Sequence, residues 1–102
     1  MALYRHAELS RKMNKLPDAA AAFELLANGY PKLKVGPRVY SAARALYEAY
    51  QSYRRMGAFR QARKTARWLF RRYPRALSAA RLRIEMRRGR RLRRQKRLQR
   101  NP

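Results

Sequence analysis

Cysteine is absent, histidine occurs once as His6, and only five acidic residues are spread over the 102 positions: Glu8, Asp18, Glu24, Glu48 and Glu85. These absences exclude a disulfide framework, a thiolate metal site and a thiol nucleophile. A metal centre would have to rest on scattered carboxylates, so no metal site and no cofactor are expected. Ser10, Ser41, Ser52 and Ser78 have no histidine at a spacing suited to nucleophilic catalysis, so no catalytic residue is assigned and the chain reads as non-enzymatic. Four glycines provide no phosphate-cradling loop. No apolar run approaches the ~20 residues of a membrane span, so an integral membrane protein is not expected. Four β-branched residues, Val35, Val39, Thr65 and Ile84, argue against a sheet protein.

What is present is Ala, Leu and positive charge. Seventeen Ala and twelve Leu make the composition helical. Lys and Arg total 28, giving a formal net charge of +23. A surface of that sign repels itself and calls for a polyanion or an acidic partner. Arg outnumbers Lys 22 to 6, and the planar guanidinium forks onto phosphate and stacks on bases, which points to nucleic acid. With 46% apolar residues a modest single core is within reach at this length.

Punctuation falls at Asn14 to Pro17, at Gly29 through Pro37, at Gly57 and at Tyr73-Pro74. The apolar spacing between these marks predicts five helices. The first covers Ala2 to Met13, with Leu3, Ala7, Leu9 and Met13 as its apolar positions. The second begins at Pro17 and ends near Asn28-Gly29. The third runs from about Pro37 to Gly57 and carries Tyr40, Leu46, Tyr47, Tyr50 and Tyr53. The fourth runs from Phe59 to Tyr73 with Ala62, Ala66, Leu69 and Phe70 inward. The fifth follows Pro74 and keeps an apolar stripe of Ala76, Ala79, Leu82 and Met86. A helical domain over 1–86 and a basic tail over 87–102 are therefore expected. A block so basic is expected to be unfolded in free solution. The acid-poor segment from Met1 to Lys15 has presequence character, but its periodicity marks it as the first helix of the fold.

A shift of 43 residues sets Asn14 over Gly57, Leu16 over Phe59, Ala19 over Ala62, Tyr30 over Tyr73 and Pro31 over Pro74. Each unit is a helix, a tight turn, an Ala-bearing second helix and an aromatic-Pro stop. This resembles the tetratricopeptide repeat, in which small residues allow helices to approach closely and aromatics fill the space between pairs. The resemblance implies an all-α fold of two helix-turn-helix repeats with a capping fifth helix. The family period is about 34 residues, which leaves a loop of roughly nine around Lys32 to Arg38. Two repeats are fewer than the three wanted for stability alone, so dependence on a neighbour is expected. The resemblance also places Tyr4, Glu8, Arg11 and Lys12 beside Tyr47, Gln51, Arg54 and Arg55 in a basic concave groove. The tripeptide Leu3-Tyr4-Arg5 resembles the start of LYR-motif proteins, small mitochondrial helical bundles, but the repeat register accounts for the same residues.

The expected phosphate contacts are Arg11, Lys12, Arg54, Arg55, Arg71 and Arg72 on the body. In the tail they are Arg87, Arg88, Arg90, Arg91, Arg93, Arg94, Lys96, Arg97 and Arg100. So few acids cannot supply a mixed solvated face, which leaves sequence-independent phosphate contact as the simpler account. Most aromatic rings, Trp68 included, are expected in helix packing, with Tyr4 and Tyr47 the better stacking candidates. These features point to a structural component of a large ribonucleoprotein that partners rRNA and neighbouring ribosomal proteins and has no small-molecule substrate. Resemblance to small basic mitochondrial ribosomal proteins with helical repeats implies the mitochondrial matrix, with nucleus and cytoplasm as other locations. The alternative is an accessory subunit or assembly factor of a mitochondrial membrane complex.

Overall fold

In the computed structural model the described residues are 2–29, 32–35 and 38–100, with side chains described for 3–29 and 41–99. The order of elements is α1 (Ala2–Lys12), α2 (Leu16–Gly29), β1 (Lys32–Val35), β2 (Arg38–Ser41), α3 (Ala42–Met56), α4 (Phe59–Arg72) and α5 (Leu77–Arg100). The fold is all-α, with one small β-hairpin between its second and third helices.

The two helix-to-helix turns are built alike. Asn14, at φ 59°, donates its backbone N–H to the Arg11 carbonyl, and the Lys15 N–H reaches the Ser10 carbonyl at 2.8 Å. Gly57, at φ 78°, donates to the Arg54 carbonyl, and the Ala58 N–H reaches the Tyr53 carbonyl at 2.9 Å. Both form the six-to-one and five-to-two pattern that closes a helix on a left-handed residue, a conformation open to Gly and to Asn. The 43-residue shift thus relates the turns hydrogen bond for hydrogen bond. It continues into the next helices, where Ala19 bonds back to Lys15 and Ala62 back to Ala58.

Small residues occupy the helix contacts. Ala19, Ala22, Ala42, Ala45, Ala49 and Ala62 are buried around Phe23, Leu26, Leu46 and Leu69. Their short side chains let these three helices, α2, α3 and α4, approach closely, and the large residues fill the remaining gaps. The repeat is not symmetric inside: Phe23 stands where the second unit has Ala66, and both are buried. On α1 the inward face is Leu3, Ala7 and Ser10, while Leu9, and Met13 just beyond the helix, which the spacing expected among its apolar positions, are exposed.

Three sequence expectations need correction. The segment expected as a loop around Lys32 to Arg38 is instead an antiparallel hairpin, with Lys32 opposite Ser41 and Val35 opposite Arg38. It holds two of the four β-branched residues, whose propensity favours strand. Tyr40 consequently belongs to β2, and α3 begins at Ala42, where the Ser41 hydroxyl accepts the Arg44 backbone N–H at 3.1 Å and caps the helix. The fifth helix does not end near Met86 and leave the described residues beyond it unfolded. It continues to Arg100, because Arg, Leu, Gln and Lys are strong helix formers and Gly89 is the sole weak one in that stretch. The boundary at 86/87 therefore falls within one helix. The repeat stop at Tyr30-Pro31, the Gly36-Pro37 turn, Met1 and residues 101–102 lie outside the described residues.

A polar junction ties three helices together. The Thr65 hydroxyl on α4 lies 3.1 Å from Glu24 Oε1 on α2 and 3.0 Å from the Gln61 carbonyl oxygen. The Tyr53 hydroxyl on α3 also bonds to Glu24, and burial together with that carboxylate pushes the phenol up to about 12. The folded state therefore holds the Tyr53 proton more firmly than the unfolded chain, whose phenol titrates near 10. This stability is fully present below pH 10 and is lost as pH rises toward about 12. The expected result is that the thermal midpoint of the native protein falls relative to Tyr53→Phe across that window. Lysine deprotonation acts on both chains and cancels in the difference. A constant difference would show that Tyr53 does not donate to Glu24 in the folded protein.

Candidate nucleic-acid interface

The cations are placed by the helices that carry them. Arg11 and Lys12 end α1, Arg54 and Arg55 end α3, and Arg71 and Arg72 end α4. Each pair sits where a positive charge offsets the negative end of the helix dipole. These six residues thus have a structural use of their own beside any contact with phosphate.

The groove inferred from the repeat register is present in part. Arg11 on α1 and Tyr47, Gln51 and Arg55 on α3 line one cleft of about 350 Å³, together with Glu48 and Ser52. Its charge is mixed. Arg11 pairs with Glu8 at 2.8 Å. Tyr4 and Lys12 lie outside this lining, and Arg54 turns to the other side of α3, its guanidinium 5.9 Å from the Tyr50 ring centre. Tyr47 is committed to structure. Its hydroxyl donates to Glu85 Oε1 on α5, and Gln51 Nε2 donates to Glu85 Oε2 at 2.8 Å. Burial first, and then the accepting carboxylate, raise the Tyr47 phenol above its ordinary range. Glu85, the one acid of α5, thus fixes that helix against α3.

The α4 face is wholly cationic. Six of its fourteen residues are Arg or Lys and none is acidic. Lys64, Arg67, Arg71 and Arg72 surround Trp68, which is half-buried, in a shallow depression of about 460 Å³. The spacing of Lys64, Trp68 and Arg72 at intervals of four is the sequence signal for this grouping, and packing arguments alone pass over it.

The chain matches no family model, no curated protein and no solved structure. The site is therefore argued from its own residues.

On α5 the side chains divide by position. Ala79 and Leu82 are completely buried, Glu85 and Met86 are partly covered, and every described side chain from Arg90 to Gln99 is exposed. Arg87, Arg88, Arg90, Arg91, Arg93, Arg94, Lys96 and Arg97 thus belong to one exposed helical rod, with Arg100 as its last residue. At 24 residues α5 is about 36 Å long. Its projection is visible in the dimensions of 54 × 30 × 23 Å and the radius of gyration of 15.1 Å, against about 13 Å for a compact domain of this size.

Two clefts gather side chains that the sequence separates. The larger, of about 540 Å³, lies between the α3–α4 turn and α5, with Tyr50, Phe59, Met86 and Gly89 among its lining residues. Arg54 and Arg63 approach it from the body, and Arg90 and Arg93 from α5. Phe59, expected in packing after the turn, is 58% exposed. Among the described residues no three acidic or histidine side chains come together in a metal-binding group. None of the described helices is long and apolar enough to cross a membrane.

Proposed function

We propose that the protein is a structural, non-enzymatic RNA-binding component of a large ribonucleoprotein, and within that class a mitochondrial ribosomal protein built on two tetratricopeptide-like repeats. It stabilises rRNA by charge neutralisation and presents its helical body to neighbouring proteins. The observation that carries this reading is the free half of α5. Six of its ten side chains from Arg90 to Gln99 are Arg or Lys, all ten are exposed, and no acid offsets them. A helix with side chains is about 10–12 Å across, narrow enough to run between RNA helices and contact phosphates on both sides. Contacts of this kind carry no base sequence and act by position. Double-stranded RNA offers phosphates and shape more readily than base edges, which suits such a rod. The α4 face adds a second cationic surface on the body.

The test is sedimentation of a tagged copy from organelle lysate with and without RNase. Co-migration with a ribosomal subunit, abolished by RNase, is the expected result. Migration with a membrane complex that RNase leaves unchanged would replace this reading with that of an accessory subunit.

A further inference from the structure

We propose that the cleft between the α3–α4 turn and α5 receives one unstacked nucleobase of single-stranded RNA, with the phosphate of that nucleotide held at its outer end by Arg90 and Arg93. This inference rests on the RNA-binding reading above and adds to it a site that distinguishes single strands from duplexes.

The cleft measures about 540 Å³, within the range of small-ligand sites. Its apolar surfaces are the exposed Phe59 ring, Met86 and the edge of Tyr50. Two cationic walls flank them, Arg54 and Arg63 on the body and Arg90 and Arg93 on α5. Flat aromatic and guanidinium surfaces beside phosphate-binding cations are what a stacked nucleotide needs.

The cleft is also polarised along α5. Glu85 stands at its inner end, held by Tyr47 and Gln51. Arg93 lies eight residues farther along the helix, about 12 Å away. A nucleotide divides in the same sense, into an uncharged ring with N–H donors and a phosphate. An acidic peptide side chain could satisfy the Arg90 and Arg93 end but brings no flat ring with N–H donors to the Phe59 and Glu85 end.

Gly89 provides the means of testing this. It lines the cleft, and a Cβ added there meets no atom within 4 Å. A larger side chain at this position enters the cleft without disturbing the backbone. Gly89→Leu fills the space, and Gly89→Ala serves as a control for the gain in helix propensity.

The experiment measures fluorescence anisotropy at about 0.15 M salt with three probes: a short oligoadenylate, an abasic oligomer of equal length, and an RNA duplex. The native protein is expected to bind oligoadenylate about tenfold more tightly than the abasic oligomer. Gly89→Leu is expected to lose that preference and keep its affinity for the duplex, while Gly89→Ala keeps both. Equal binding of the two single strands by the native protein, or a preference unchanged in Gly89→Leu, overturns the cleft assignment and leaves the RNA-binding reading standing. Failure to bind any of the three overturns both. Displacement of the oligoadenylate by an oligoglutamate as readily as by RNA overturns the nucleobase in favour of an acidic protein segment.

Discussion

Replacing Arg90, Arg91, Arg93 and Arg94 together with Glu is expected to cut the affinity for RNA by at least about 100-fold at ~0.15 M salt and to leave helix content unchanged. The formal charge of +23 falls by eight, and four phosphate contacts are lost from the exposed half of α5. Each contact contributes about 0.7 to 0.9 to the slope of log affinity against log salt, so the slope should fall by roughly three. The helix itself should survive. Glu matches Arg in helix propensity, and the exchange turns like-charge pairs four residues apart, Arg87 with Arg91 and Arg93 with Arg97, into opposite-charge pairs. Salt-dependent binding together with far-ultraviolet circular dichroism reads both parts. An unchanged slope would show that α4 and the body carry the RNA and that α5 is a bystander.

Leu82→Ala should have the largest effect on stability of any change confined to α5. Leu82 is 0% exposed and, with Ala79, forms the completely buried part of that helix. Removing it costs the transfer of its methyl groups and leaves a cavity, together about 2–5 kcal/mol. In a domain of this size that corresponds to a thermal midpoint lower by roughly 10–30 °C. A change of that size is a substantial fraction of the ~5–15 kcal/mol that holds a typical domain together. Leu92→Ala is the paired measurement. Leu92 is 58% exposed on the free half of α5, and a surface substitution there should fall within about 0.5 kcal/mol. Equal losses at the two positions would mean that the free half is packed against something, either a second copy or a folded-back segment.

The helices were legible because Ala and Leu recur at helical spacing between clear breaks, and the turns were legible because Asn14 and Gly57 hold equivalent places 43 residues apart. The hairpin is masked in the sequence although Lys32-Leu33-Lys34-Val35 alternates with a period of two and Gly36-Pro37 follows. Eight strand residues are too few to outweigh a helical composition when each window is weighed against the whole chain. Continuation of α5 past Met86 is obscured for another reason. Charge density argues for an unfolded tail, while propensity and the absence of a strong breaker argue for helix, and the second consideration governs this chain. The groove was legible for Tyr47, Gln51 and Arg55, which recur at intervals of four along one face of α3, and for Arg11 on α1, which lines the same cleft. The turn-side cleft was not, since Phe59, Gly89 and Arg93 meet only after α5 docks through Leu82 and Glu85, a tertiary event that no local pattern announces.

The docking of α5 also bears on how its cationic half comes to be ordered. An isolated helix must first fix several residues for a single hydrogen bond, and short peptides rarely overcome that step in water. Here Leu77 to Met86 are already wound and held by Ala79, Leu82 and the bonds of Glu85 to Tyr47 and Gln51. Every residue beyond Met86 therefore adds to an existing template, at one hydrogen bond per residue. The charged half is a preset rod whose direction the core dictates, so association with a polyanion, as proposed, would forgo the ordering cost that a flexible basic tail would incur.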